Sequence, residues 1–305
     1  MKLRISLLKG AMAFMLLLPF TTQAQELISL YAGTVPNSKP SKAVDQPTLP
    51  TSSQFSSVVK PQLEVHLPEK DKATGAALIV IPGGSYKMIV FQGEGRRSAA
   101  ELVKNGIAVF ILKYRLPNDS MMVDKTIGPL QDAQQAIKIV RENAAKYGVD
   151  ANKVGVIGFS AGGHLASTIA THYQKAVIDN TNGTNLRPDF VALVYPVISM
   201  QDNLTHKDSR KNLLGANPSK EQIDLYSNEL QVDSKTPPTF LVHAGDDRVV
   251  LVDNSIAFYQ NLIKAKVPAE MHLFPKGGHG FGGQPIDMWV GPLVKWMQNN
   301  KWINK

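Results

Sequence analysis

Seven short apolar runs, separated by stretches with a different period, limit what this chain can fold into more than any other feature. The runs are residues 63–67, 77–81, 107–112, 154–158, 190–194, 239–242 and 271–274. Most are apolar throughout, as strands covered on both faces must be. Between them, residues 98–105, 130–147, 163–172, 254–265 and 287–299 repeat their apolar side chains three and four apart, the spacing of a helix with one buried stripe. Strand and helix in alternation predict an α/β domain with a mostly parallel central sheet, helices on both faces and right-handed crossovers. Sites in such sheets form beyond the carboxyl ends of the strands, so the loops at that edge are where the chemistry should lie.

The rest of the 305 residues fits around this core. Residues 1–24 carry Lys2, Arg4 and Lys9, then the apolar run AMAFMLLLPF, then small or polar residues to Ala24. That is the three-part form of a secretory signal, too short to span a bilayer comfortably. The expectation is cleavage near Ala24, a secreted or periplasmic product and no stable membrane anchor. Residues 25–62, rich in Pro, Ser, Thr and Lys after Pro36, read as an extended strap. Residues 63–305 form one α/β domain, interrupted at about 200–235 by a polar insertion placed as a small cap over the carboxyl edge. The chain has no cysteine, which removes thiol nucleophiles and leaves stability to packing and hydrogen bonds. The formal charge of +8 falls to +5 once the three basic residues of the leader are gone. The remaining cations form no dense cluster, so nucleic acid is not an expected partner.

One strand-end loop reads Gly158-Phe159-Ser160-Ala161-Gly162, the pattern G-x-S-x-G between a strand and a helix. The serine there occupies a tight turn that projects its hydroxyl at the sheet edge, beside a helix N-terminus that favours developing negative charge. A serine hydroxyl is a poor nucleophile until a base takes its proton, and the base needs an acid to orient it. Among the seven histidines, His279 lies in a glycine-rich loop after the last strand, from which its imidazole can reach over the edge. His164 follows Ser160 within one helix, where side chains tilt along the flank, so a packing role is expected of it. His66, His243 and His272 sit in or at strands and read as structural.

The acid belongs to the loop after the penultimate strand, where Asp247 lies nearer than Asp246 to the apolar pair Val249 and Val250 that would bury it. The order Ser160, Asp247, His279 is that of an α/β-hydrolase. Oxyanion donors are expected from the backbone amides of Gly83 or Gly84, after the strand at 77–81, together with that of Ala161. Ser85 and Tyr86, next in that loop, and His206, Arg210 and Asn212 in the insertion are candidates for lining the substrate entrance. The alternative for the insertion is a solvated surface.

Over nearly all of the residues after the leader, the sequence resembles exported carbohydrate esterases of the α/β-hydrolase fold, similar to acetyl xylan esterases and to the branch near hormone-sensitive lipase. The resemblance rests on PGGSY at 82–86, LKYRLPND at 112–119, PLQDAQQAI at 129–137, GFSAGGHLAS at 158–167, SRKNLLGANPS at 209–219, HAGDDRVV at 243–250 and KGGHGFG at 276–282. It implies a serine esterase acting on acylated carbohydrate, with Ser160 as nucleophile, Asp247 as acid, His279 as base, and no cofactor or metal. It also implies that Arg115 and Asp132 are a structural ion pair. One departure is Ser85, which stands where the oxyanion loop often has a third glycine. Two other readings are a prolyl-oligopeptidase-like peptidase, suggested by Asp246-Asp247-Arg248-Val249, and a non-catalytic carbohydrate-binding relative.

Overall fold

The computed structural model describes residues 26–47 and 54–304; the expected leader at 1–24 lies outside them. The strands are β1 Leu27–Ser29, β2 Gln46–Pro47, β3 Phe55–Ser57, β4 Gln62–His66, β5 Ala77–Ile81, β6 Ala108–Lys113, β7 Val154–Phe159, β8 Val191–Val194, β9 Thr239–Ala244 and β10 Ala269–Phe274. The helices are α1 Arg97–Lys104, α2 Gly128–Glu142, α3 Ser160–His172, α4 Lys207–Leu214, α5 Lys220–Leu225, α6 Asp253–Lys264 and α7 Asp287–Asn299. Eight strands form one sheet in the order β1-β4-β6-β5-β7-β8-β9-β10, while β2 and β3 pair separately. Strand β4 is antiparallel to both of its neighbours, and every other pairing in the sheet is parallel.

Every residue of β5 to β9 is buried, which is why these strands appear in the sequence as unbroken apolar runs. Strand β10, at the edge, is only half-buried, and its sequence alternates accordingly. The described part of residues 25–62 is more than a strap. Leu27–Ser29 pairs with β4 in register Leu27 to Glu64, so this segment supplies an edge strand of the main sheet. Three residues are too few to show a period.

The strand order places the site. From β5 the chain crosses outward through α1 to β6, then back through α2 to β7 on the other side of β5. Right-handed crossovers in opposite directions put α1 and α2 on opposite faces. The loops leaving β5 and β7 therefore part around a crevice at the carboxyl edge. Pairing of Ile81 with Gly158 sets the 82–86 loop directly beside Ser160.

The insertion at about 200–235 holds α4, α5 and a single 3₁₀ turn, Asn228–Leu230. Helix α5 starts with a capping box between Ser219 and Gln222. The insertion is bound to the domain by Asn228, whose amide nitrogen donates to His164 O at 3.1 Å and Ser167 Oγ at 2.7 Å. Among the described residues no helix is long and apolar enough to cross a membrane.

Candidate active site

Ser160 opens α3 with φ of +50°, a left-handed conformation that costs about 1–3 kcal/mol for a side chain with a Cβ. The turn is tight enough that a Cβ on Gly162 would collide with the carbonyl oxygens of Ile81 and Pro82. That close approach explains the second glycine of the motif. Strain gathers here: among the described residues eight non-glycine positions have left-handed φ, and Ser85, Tyr86, Ser160, Tyr195 and Phe281 are five of them. All five lie in the loops leaving β5, β7, β8 and β10.

The structure brings Ser160, Asp247 and His279 into one hydrogen-bonded line. Ser160 Oγ is 2.9 Å from His279 Nε2, and His279 Nδ1 is 2.7 Å from Asp247 Oδ2. An ionised carboxylate only accepts, so Nδ1 carries the proton and Nε2 keeps a lone pair for the serine hydroxyl. Asp247 is buried, which alone would raise its pKa. Hydrogen bonds from His243 and His279, with the Val250 amide, overcome this and hold its carboxyl well below the usual carboxylate range. Its Oδ1 accepts from the amides of Val249 and Val250 at 2.9 and 3.0 Å. The carboxylate is therefore fixed in orientation and charged.

Two neighbours hold this line in place. His243 donates through Nε2 to Val250 O at 3.0 Å and lies 3.2 Å from Asp247 Oδ2, with Nδ1 accepting from Ser255 Oγ at 2.8 Å. A histidine inside an apolar strand reads as structural, and only the turn after β9 brings it under the acid. Asp246, adjacent in sequence, does different work: its Oδ1 accepts from the Gly278 amide at 2.8 Å, bracing the loop that carries His279.

The carbonyls of the 82–86 loop are pinned one after another. Pro82 O accepts from Tyr114 Oη, Gly83 O from the Val90 amide, Gly84 O from the amides of Lys87 and Met88, and Ser85 O from Asn212 Nδ2. In a trans peptide the N–H points opposite to the C=O, so these bonds also fix the amides. Gly83 presses so close to the serine that a Cβ there would lie 2.8 Å from Ser160 Cβ. Its amide, however, donates to Glu94 Oε2 at 2.5 Å. This corrects the expectation that Gly83 serves as an oxyanion donor, because its one N–H is already used. Among the described residues the Gly84 amide has no acceptor, and the Ala161 amide, in the first turn of α3, has none within its helix.

The other expected contacts divide. Tyr86 is buried and its hydroxyl donates to His164 Nδ1 at 2.9 Å, so it supports the loop from below, and it also borders a hollow of about 210 Å³ with Lys87, Leu116 and Asn212. Arg210 is also corrected: its Nη1 donates to Met200 O at 2.8 Å and Asp202 Oδ1 at 2.6 Å, tying down the segment before α4. His206 caps α4 through Nδ1, which accepts from the Ser209 amide, and it lies within electrostatic reach of His279 and Asp247. Ser85 borders an open groove of about 380 Å³ with Lys87, Asp208, Lys211 and Asn212. The structure thus keeps Ser85, His206 and Asn212 near the site.

His164 holds the insertion to the 82–86 loop: Nε2 donates to Tyr226 O at 2.8 Å while Nδ1 accepts from Tyr86. Burial pushes its pKa down from near 6.5 to about 4. The folded chain keeps it neutral, whereas the unfolded chain takes up a proton below about 6.5. Stability is therefore lost as pH falls from about 6.5 to about 4, by roughly 3 kcal/mol, and the contribution is flat outside that window. Urea unfolding at pH 7 and pH 4.5 should show this loss in the native chain and a smaller one in His164→Asn. Equal losses in both would remove His164 as the cause.

The chain is similar to several known proteins. The BD-FAE family model matches residues 63–262. An acetylxylan esterase of Xylanibacter ruminicola is 40% identical over 227 residues, 73% of this chain and 44% of that protein. An endo-1,4-beta-xylanase B of Butyrivibrio fibrisolvens is 38% identical over 222 residues, 72% of this chain and 34% of that protein. The chain thus spans less than half the length of either relative. The crystal structure of an acetyl ester-xyloside bifunctional hydrolase from Caldicellulosiruptor lactoaceticus superposes with a TM-score of 0.76 at 35% identity, covering 92% of this chain and 97% of that one. The family match takes in the strands from β5 to β9 and the loops carrying Ser160 and Asp247, and the chain belongs to the BD-FAE family of α/β-hydrolases.

Proposed function

We propose that this protein is a serine carboxylic-ester hydrolase that removes acyl groups, acetyl foremost, from plant polysaccharide fragments. The observation that carries the reading is the line Ser160, His279, Asp247 beside two amides that lack acceptors. Ser160 Oγ attacks the ester carbonyl as its proton passes to His279 Nε2. The oxyanion is held by the amides of Gly84 and Ala161, and the leaving alcohol takes the proton from His279. Water, deprotonated in turn by His279, attacks the serine ester, and the imidazolium returns the proton to Ser160 Oγ as the acid leaves. Asp247 stays ionised throughout and stabilises the imidazolium.

The substrate class is supported by the relatives named acetylxylan esterase and acetyl ester-xyloside hydrolase. It is supported also by the polar groove beside Ser85, whose lysines, aspartate and asparagine suit sugar hydroxyls. Export after cleavage near Ala24 belongs to the same reading and suits a polymeric substrate. The test is turnover of acetate, butyrate and ferulate esters at equal concentration, followed by acetic acid release from acetylated xylan. Acetate should lead the series, with release from the polymer. Cleavage of a proline-containing amide with none of acetate would reverse the assignment in favour of a peptidase.

A further inference from the structure

Glu94 is a carboxylate beside the site that the proposed steps leave unused. It sits in a π-helical turn, Phe91–Arg96, a rare local structure found mostly at functional positions. The wide turn aims the side chain inward. Oε2 accepts the Gly83 amide at 2.5 Å and Oε1 accepts from Tyr195 Oη at 3.2 Å. The same Tyr195 ring, held at φ of +38°, sets its edge against the His279 imidazole with ring centroids 4.9 Å apart. Glu94 is thus bonded to the loop that presents Gly84 and to the ring that packs on His279.

Resting on the esterase reading, we infer that Glu94 is a positioning residue that fixes the 82–86 loop through Gly83 and places a negative charge beside His279. The two functions have separate physical grounds. Accepting the Gly83 N–H fixes the peptide before it, and with Val90 on Gly83 O it sets the direction of the Gly84 N–H. A preset donor needs no reorganisation when the oxyanion forms. The charge acts on the imidazole: burial leaves the Glu94 pKa raised, and the Gly83 amide, the Tyr195 hydroxyl and a protonated His279 oppose that rise. Protonation of His279 and ionisation of Glu94 therefore favour each other.

The charged and titratable groups around His279 come from five elements. They are Asp247 after β9, Ser160 on α3, Glu94 in the π turn, His206 before α4, and Tyr195 after β8, the last also feeling Arg97 of α1. Asp247 and Glu94 are the carboxylates that act on the His279 ring itself, and a third, Asp246, is bonded to the neighbouring Gly278 amide.

Two variants separate the two functions. Glu94→Gln keeps an acceptor for the Gly83 amide and a donor for Tyr195 Oη but removes the charge. Glu94→Ala removes both. With a chromogenic acetate ester, Glu94→Gln should lose about tenfold in kcat and move the acidic limb of the kcat/KM profile to lower pH by about half a unit or more. Glu94→Ala should lose about a further tenfold in kcat, with KM within about twofold of the native value in both. A Glu94→Gln profile superimposable on the native one overturns the electrostatic function. Equal kcat for Gln and Ala, or losses confined to KM, overturn the anchoring function. The esterase reading fails separately, through an active Ser160→Ala or a native chain that turns over no ester.

Discussion

Ser160→Ala should lower ester turnover by a factor on the order of 10⁴ to 10⁶ while leaving the urea unfolding midpoint close to that of the native chain. The asymmetry follows from the contacts. Ser160 Oγ has one hydrogen bond, to His279 Nε2, and its carbonyl keeps its own bond to the Val197 amide in the variant. Folding loses little, and the reaction loses its nucleophile. His279→Ala should fall about as far, and the double variant no further, because the groups act as a unit and effects of this kind do not add. Asp247→Asn should cost about 10⁴-fold by disturbing the tautomer that presents a lone pair to Ser160. A Ser160→Ala protein retaining a tenth of native activity would end the mechanism.

Comparing that line with the sequence shows which residues carry legible signals. Strands β5 to β9 are legible because burial on both faces disfavours polar residues, leaving largely apolar runs whose bounds match to within two residues. Ser160, Asp247 and His279 were legible because each follows a strand, and parallel strands bring their carboxyl ends to one edge. The unread parts depend on contacts distant in sequence. Glu94 lies in the stretch FQGEGR, which has neither helix nor strand period because a π turn has its own. The Gly83 amide could not be removed from the oxyanion donors without knowing that Tyr114, Val90 and Glu94 orient its two peptides. Tyr86 sits in a loop that reads as exposed, yet its side chain turns inward to His164, and Arg210, on α4, is taken up by Met200 O and Asp202 just before that helix.

Asp132→Ala should destabilise the fold by about 3–5 kcal/mol, the largest stability loss expected of any single substitution considered. Both partners of the Arg115–Asp132 pair are buried. Asp132 Oδ1 accepts from Arg115 Nη2 at 2.7 Å, Oδ2 from Arg115 Nε at 3.0 Å and from the Arg115 amide at 2.8 Å, and Tyr31 Oη adds a fourth donor at 3.0 Å. Arg115 Nη1 reaches onward to Pro36 O at 2.6 Å. The pair therefore clamps residues 31–36 onto the domain near the end of β6. Removing the carboxylate leaves a guanidinium in the interior with no counter-charge, and desolvation makes that far more unfavourable than the lost hydrogen bonds alone. Replacing both residues, as in Arg115→Met with Asp132→Leu, should lose less than Asp132→Ala, because no buried charge remains. None of these contacts includes Ser160, Asp247 or His279, so ester turnover per folded molecule should hold. Urea unfolding at pH 7 decides the point: a loss below about 1 kcal/mol in Asp132→Ala, the range of an exposed ion pair, would show that the clamp does not stabilise the fold in solution.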